Sequence, residues 1–170
     1  MIHTMPPIDA EQDVTVTDDP RDPYTFADFV WVDATPHHVY DVVSDVTRHG
    51  EWSEFTRSCE WEDATSAVVG AHFTGHNSRP GREWSTRSEV VVATPGQEFA
   101  WEVRDGLVHW GFTMAPERGG TRLTQNWELR PAGREALRET FGEDGVTLRV
   151  NDAHTSIPVT LERIKKVIEG

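Results

Sequence analysis

Cysteine is almost missing from this chain: Cys59 stands alone in 170 residues, so no intrachain disulfide can form. That scarcity suits a reducing compartment, and a cytoplasmic location is the expectation. Positive charge is also scarce. Lys and Arg number 16 against 29 Asp and Glu, a formal charge of −13, which repels phosphate backbones and anionic headgroups; neither nucleic acid nor stable membrane anchoring is expected. The excess acid serves solubility and by itself says nothing about the charge of a ligand. No Gly-x-Ser-x-Gly elbow, phosphate-cradling loop or dinucleotide fingerprint occurs, which disfavours nucleophilic and nucleotide chemistry. No Cys-rich or His-Glu spacing of the usual zinc kind occurs either, so neither metal nor cofactor is expected. There is no internal repeat.

Residues 1–23 carry a single Arg, six acidic residues and Pro6, Pro7, Pro20 and Pro23, matching neither a signal peptide nor a membrane span. The composition predicts a solvated, flexible arm, followed by one domain over 24–170. Thr25 to Asp33 is rich in aromatic and branched residues and reads as a strand. It ends at Ala34-Thr35-Pro36, a helix entry with Thr35 as N-cap and Pro36 at the first helical position. Val39, Tyr40, Val42 and Val43 then recur at helical spacing, and Asp45 can cap a second short turn that Gly50 ends. Trp52 and Phe55 can fold back as apolar plugs. From Cys59 on, turn signals at Val68-Val69-Gly70, Arg79-Pro80-Gly81, Pro95-Gly96, Arg104-Asp105-Gly106 and Arg118-Gly119-Gly120 separate strands at about 58–63, 71–78, 83–94, 97–104, 107–115 and 121–130. With the first strand, this makes a seven-stranded antiparallel meander. Asp144 to Glu169 closes the chain as a helix whose Val146, Val150, Ala153, Ile157, Leu161, Ile164 and Ile168 share one face. Pro158 is expected to kink it around Asn151 to His154.

At this point the chain resembles the START-like and birch-pollen-allergen-like superfamily, SRPBCC, and within it the polyketide cyclase/dehydrase-like group. The residues carrying the resemblance are Ala34-Thr35-Pro36 with Val39 to Asp45, Glu51-Trp52-Ser53, Gly70-Ala71-His72-Phe73 with Gly75 and Asn77, Trp84 with Thr86 and Ser88, Pro95-Gly96, and Gly119 to Thr124. Their order and spacing, rather than any one motif, are specific, and they cover Phe26 to Gly170. The resemblance implies an α+β helix-grip fold: a curved seven-stranded antiparallel sheet wrapped around a long C-terminal helix, with two short helices between the first two strands. It also implies a lipid-, sterol- or polyketide-like guest held between sheet and helix, and in some members cyclase or dehydratase activity there.

Strand alternation assigns the residues facing that space. They are Phe73 and Asn77 with Gly75; Trp84, Thr86 and Ser88 with Val90; Phe99 and Trp101 with Val103; Trp110 and Phe112 with Met114; and Gln125 and Trp127 with Leu123 and Leu129. Val150, His154 and Ile157 are the candidates from the helix. In this aromatic wall Asn77, Thr86, Ser88 and Gln125 need one another, water or a ligand as hydrogen-bond partners. Among the eight histidines, His3, His37, His38 and His49 read as solvent-facing, while His72, His76 and His109 fall on the outer sheet face. His154 either looks into the cavity as a base or packs on the flank of the sheet, the second being favoured. Arg79, Arg82 and Arg87 lie near a hairpin as a basic rim or a plain surface, and no Arg, Tyr or Asp is plainly placed inside. Three functions compete: a carrier or sensor of a hydrophobic or aromatic small molecule; an aromatase/cyclase or dehydratase with His154 and Gln125 as first candidates; and a protein-interaction module whose cavity is filled by its tryptophans. Monomer and homodimer both remain open.

Overall fold

The computed structural model describes residues 22–170, and the expected arm at 1–23 lies almost wholly outside them. Strand β1, Thr25–Val32, delivers the chain to Thr35, whose extended backbone and hydroxyl, accepting from the His38 amide at 3.2 Å, start helix α1 at Pro36–Val43. Val39, Tyr40, Val42 and Val43 bury its apolar face. The Asp45 carboxylate then accepts from the Thr47 amide at 3.1 Å and caps a 3₁₀ turn, Val46–Glu51. These are the two short helices expected between the first two strands.

Six further strands follow: β2 Thr56–Trp61, β3 His72–Arg79, β4 Arg82–Thr94, β5 Glu98–Val103, β6 Val108–Glu117 and β7 Gly120–Leu129. All pairings are antiparallel, and β1 closes on β7 to give the order β1-β7-β6-β5-β4-β3-β2. The β4–β5 register slips between Val90 and Val92, and the β2–β3 register between Thr56 and Ser58; such irregularities bend and twist strands and so curve the sheet. The turn chemistry is as the sequence suggests: Arg104, Asp105 and Gly106 all have positive φ in the β5–β6 turn.

The last helix differs from expectation at both places that matter. Helix α2 spans Pro131–Glu169, starting well before Asp144, and its interruption falls at Gly142, with φ 74° and ψ −174°. Around Pro158 the backbone stays helical. One missing N–H costs a single hydrogen bond, while Ile157, Leu161 and Ile164, at most 1% exposed, clamp that stretch onto the sheet. The break at Gly142 turns the leading segment, Pro131–Phe141, across one end of the sheet. Its φ is one that only glycine adopts without strain. Gly142→Ala is therefore expected to lower stability by about 1–2 kcal/mol and to raise proteolytic nicking near the break, measurable by denaturant titration and timed protease digestion.

The core lies between the concave sheet face and the later part of α2, with Val32, Phe99, Phe112, Leu123 and Leu129 meeting Ala153, Ile157, Leu161 and Ile164. Lys165 donates to the Trp31 carbonyl at 2.7 Å and pairs with Glu169, whose carboxylate accepts from the Asp33 amide at 2.9 Å. The C-terminal end of α2 is thus tied to β1, and the space left open is at the opposite end.

Candidate ligand cavity

That space is a cavity of about 650 Å³ bounded by β2 to β7, the 3₁₀ turn and α2, including its leading segment. Its floor is aromatic because alternate residues of neighbouring strands converge on the concave face. Trp101 and Trp110, paired across β5 and β6, lie nearly parallel at 6.3 Å; Phe112 is 5.9 Å and Phe73 6.2 Å from Trp101. Of the twenty residues assigned by alternation and helical spacing, twelve border the cavity: Phe73, Gly75, Asn77, Trp84, Thr86, Ser88, Trp101, Val103, Trp110, Phe112, Gln125 and Leu129. The wall keeps this space open rather than filling it.

The other eight sit behind the wall, Val90, Met114 and Leu123 among them as buried core residues. Phe99, on the same face as Trp101, is fully buried at the end of β5 that α1 covers. Trp127 and Ile157, at most 2% exposed, belong to the sheet–helix core, and Val150 is half-buried beside it. His154 takes the flank position. Its Nε2 lies 3.0 Å from the Pro23 carbonyl, and its ring stacks on Phe26 at 4.6 Å and meets Trp127 edge-on.

The polar residues divide into a satisfied group and an unsatisfied one. Asn77 Oδ1 accepts from the Thr56 hydroxyl at 2.8 Å, and its Nδ2 donates weakly to Thr86 Oγ1 at 3.4 Å. Gln125 Oε1, by contrast, is buried with no hydrogen-bond partner among the described residues. An unmet buried acceptor costs about 1–3 kcal/mol.

Charged groups enter where alternation placed none. Arg79, at the end of β3, donates to Asp152 of α2 at 2.5 Å, both side chains being less than one-fifth exposed. Arg149, one turn earlier on α2, points its guanidinium at the Trp110 ring, 5.5 Å from the centroid. Burial holds its pKa below the usual arginine value, against the pull of Asp152 and with the push of Arg79. Arg82 stacks between Trp84 and Phe141 at the mouth, at 4.8 and 4.5 Å. Arg87 instead pairs with Glu62 on the far face of the sheet. Of the suggested basic rim, Arg79 and Arg82 reach the cavity and Arg87 does not. A signal for the α2 groups existed: Arg149, Asp152, Ser156 and Thr160 recur at three and four residues, a polar stripe beside the apolar one, and all four line the cavity.

His49 also departs from expectation. Rather than facing solvent it is 6% exposed, lines the cavity, and rests 5.3 Å from Trp101 and 5.7 Å from Trp52, with Nε2 3.3 Å from the Val43 carbonyl. Burial pushes its pKa down to about 4, so it is neutral at pH 7. Cys59, in the wall, is pushed up to about 12 by burial and stays a thiol. His37 and His38 are exposed, and His72 and His76 pair with Asp63 and Glu60 on the outer face, each at 2.9 Å. His109, on the same outer face, stands 3.7 Å from Glu102. Among the described residues no three His, Cys, Asp or Glu side chains converge on a point, and no helix is long and apolar enough to cross a membrane.

A curved seven-stranded antiparallel sheet closed around a long C-terminal helix, with a cavity between them, defines the helix-grip class. The chain belongs to the family described as polyketide cyclase / dehydrase and lipid transport, whose model matches residues 23–169. It is similar to a polyketide cyclase-like protein from Corynebacterium glutamicum, at 44% identity over 86% of this chain and 91% of that one, with a TM-score of 0.65. The fold is shared with a protein from Nitrosomonas europaea, at 13% identity over 86% of this chain and 95% of that one (TM-score 0.62). It is shared too with the di-domain aromatase/cyclase StfQ of the steffimycin biosynthetic pathway, at 18% identity over 86% of this chain and 50% of that one (TM-score 0.64). No curated protein matches.

Proposed function

We propose that the chain encloses a hydrophobic or aromatic small molecule between its sheet and α2, as a carrier or sensor. The observation that carries this reading is the open cavity of about 650 Å³ over a floor of Phe73, Trp101, Trp110 and Phe112, a size and composition suited to a flat guest of metabolite dimensions. Gln125 and the Asn77–Thr86 pair, all on the cavity lining, supply the few polar contacts that orient such a guest. The family description, which includes lipid transport, supports the same reading. The test is native mass spectrometry of the purified protein, then solvent extraction and identification of what is released. A co-purifying apolar metabolite, or saturable binding of an added apolar fluorophore to extracted protein, is the expected result; a protein that carries nothing and takes up no apolar probe would remove the reading.

A second reading, cyclisation or dehydration of a poly-β-keto chain in the same cavity, is favoured by one observation: the Arg79–Asp152 pair and Arg149 put charge beside the aromatic floor. Folding such a chain against the floor would itself lower the barrier by orientation. With His154 held on the flank, Gln125 and Asp152 become the groups to test. Under this reading Asp152→Asn abolishes turnover of a β-keto substrate while retaining its binding; unchanged turnover would remove Asp152 from the chemistry.

A further inference from the structure

We propose that the occupant is an acid: a flat, apolar molecule whose carboxylate sits against Arg149. This inference rests on the cavity-binding reading above and goes further by fixing the ligand's charge and the place of that charge.

Arg149 is the starting point. Its guanidinium lies inside a cavity in a protein of formal charge −13, yet among the described residues no carboxylate comes within 4.0 Å of it. The nearest acid by chain position, Asp152, is engaged by Arg79 at 2.5 Å, and that second arginine adds repulsion to Arg149. The two other acids on the lining, Glu54 and Asp144, face three remaining arginines, Arg82, Arg104 and Arg149, so the cavity keeps a net positive charge while the protein as a whole is strongly negative. The Trp110 ring offers Arg149 its π-face, a partial compensation that leaves the N–H edges of the guanidinium for a planar acceptor. A carboxylate fits that requirement bidentately, and a neutral lipid does not.

The experiment uses two matched probes, 2-naphthoic acid and 2-naphthamide, titrated calorimetrically into the extracted protein at pH 7. The acid is expected to bind roughly 10- to 100-fold more tightly than the amide, the range of a charge-assisted bidentate contact away from bulk water. Arg149→Met should bring acid and amide to equal affinity, and Arg149→Lys should keep part of the preference. Equal binding of acid and amide to the unmodified protein overturns the inference while leaving the cavity reading standing, and requires no variant to fold. A preference that survives in a folded Arg149→Met protein overturns it as well. Failure of both probes, together with failure of the neutral fluorophore, overturns both.

Discussion

Trp101→Ala is expected to destabilise the protein by about 3 kcal/mol, the lower end of the range for truncating a buried tryptophan. The indole is 8% exposed and touches five rings: His49 at 5.3 Å, Phe99 at 5.4 Å, Phe112 at 5.9 Å, Phe73 at 6.2 Å and Trp110 at 6.3 Å. Removing it takes dispersion contacts from each ring and leaves a hole. The cost stays at the lower end because one side of the indole already borders the cavity, so the new void merges with existing space instead of opening a sealed one. Equilibrium unfolding in urea measures this as a fall in midpoint at unchanged slope. Trp84→Ala is the internal comparison. Trp84 is also a cavity tryptophan, but it is half-exposed and covered mainly by Arg82, and its loss should cost about 1 kcal/mol. Equal losses at the two positions would mean that Trp101 is not the hub of the floor.

The order of elements was readable because each rests on local chemistry. Thr35-Pro36 marks a helix start whatever surrounds it, and Arg104-Asp105-Gly106 marks a turn because its backbone takes positive φ. Strand β2 runs two residues earlier than expected, Thr56 rather than residue 58, since Thr56-Arg57-Ser58 lacks alternation and the register slips there. The leading segment of α2 was hidden for a related reason. Gly133 falls inside it and Gly142 ends it, and its apolar residues form no continuous stripe, although Pro131 in a first-turn position is itself a start signal.

Within the cavity, alternation reveals a residue's face but not its depth. Phe99 and Trp101 share a face, yet α1 seals the first and leaves the second open. Which strand end a helix covers is a matter of tertiary packing, to which a period of two carries no reference. Arg149 belongs to a polar stripe that runs beside the stronger apolar stripe of α2, and the charge of a neighbour such as Arg79, 70 positions away, becomes relevant only once β3 is folded against α2. His49 lies in Thr47-Arg48-His49-Gly50-Glu51, a run with no hydrophobic period to mark an inward residue.

Acidification is expected to expose His49 as the group that ties stability to pH. Its pKa is about 4 in the folded chain against 6.5 in a model peptide, so the unfolded chain takes up the proton first. The neutral form is accommodated fully above pH 6.5, and stability falls as pH drops from there toward 4, by about 1.4 kcal/mol per unit over the steep part. Roughly 2 kcal/mol should disappear between pH 7 and 5, and about 3 by pH 4. Glu51, Glu62, Asp63, Glu117 and Glu169 are held below their ordinary values by arginine, lysine, hydroxyl, histidine or backbone partners, and they add losses of the same sign only in more acid solution. The interval from pH 7 to 5 therefore separates the histidine from these carboxylates. Urea titrations across it should give a steeper fall in stability for the unmodified protein than for His49→Gln, whose amide can still donate to the Val43 carbonyl. Parallel slopes for the two proteins would show that the ring is not held neutral beside Trp52 and Trp101, and would detach the cavity floor from any dependence on pH through this residue.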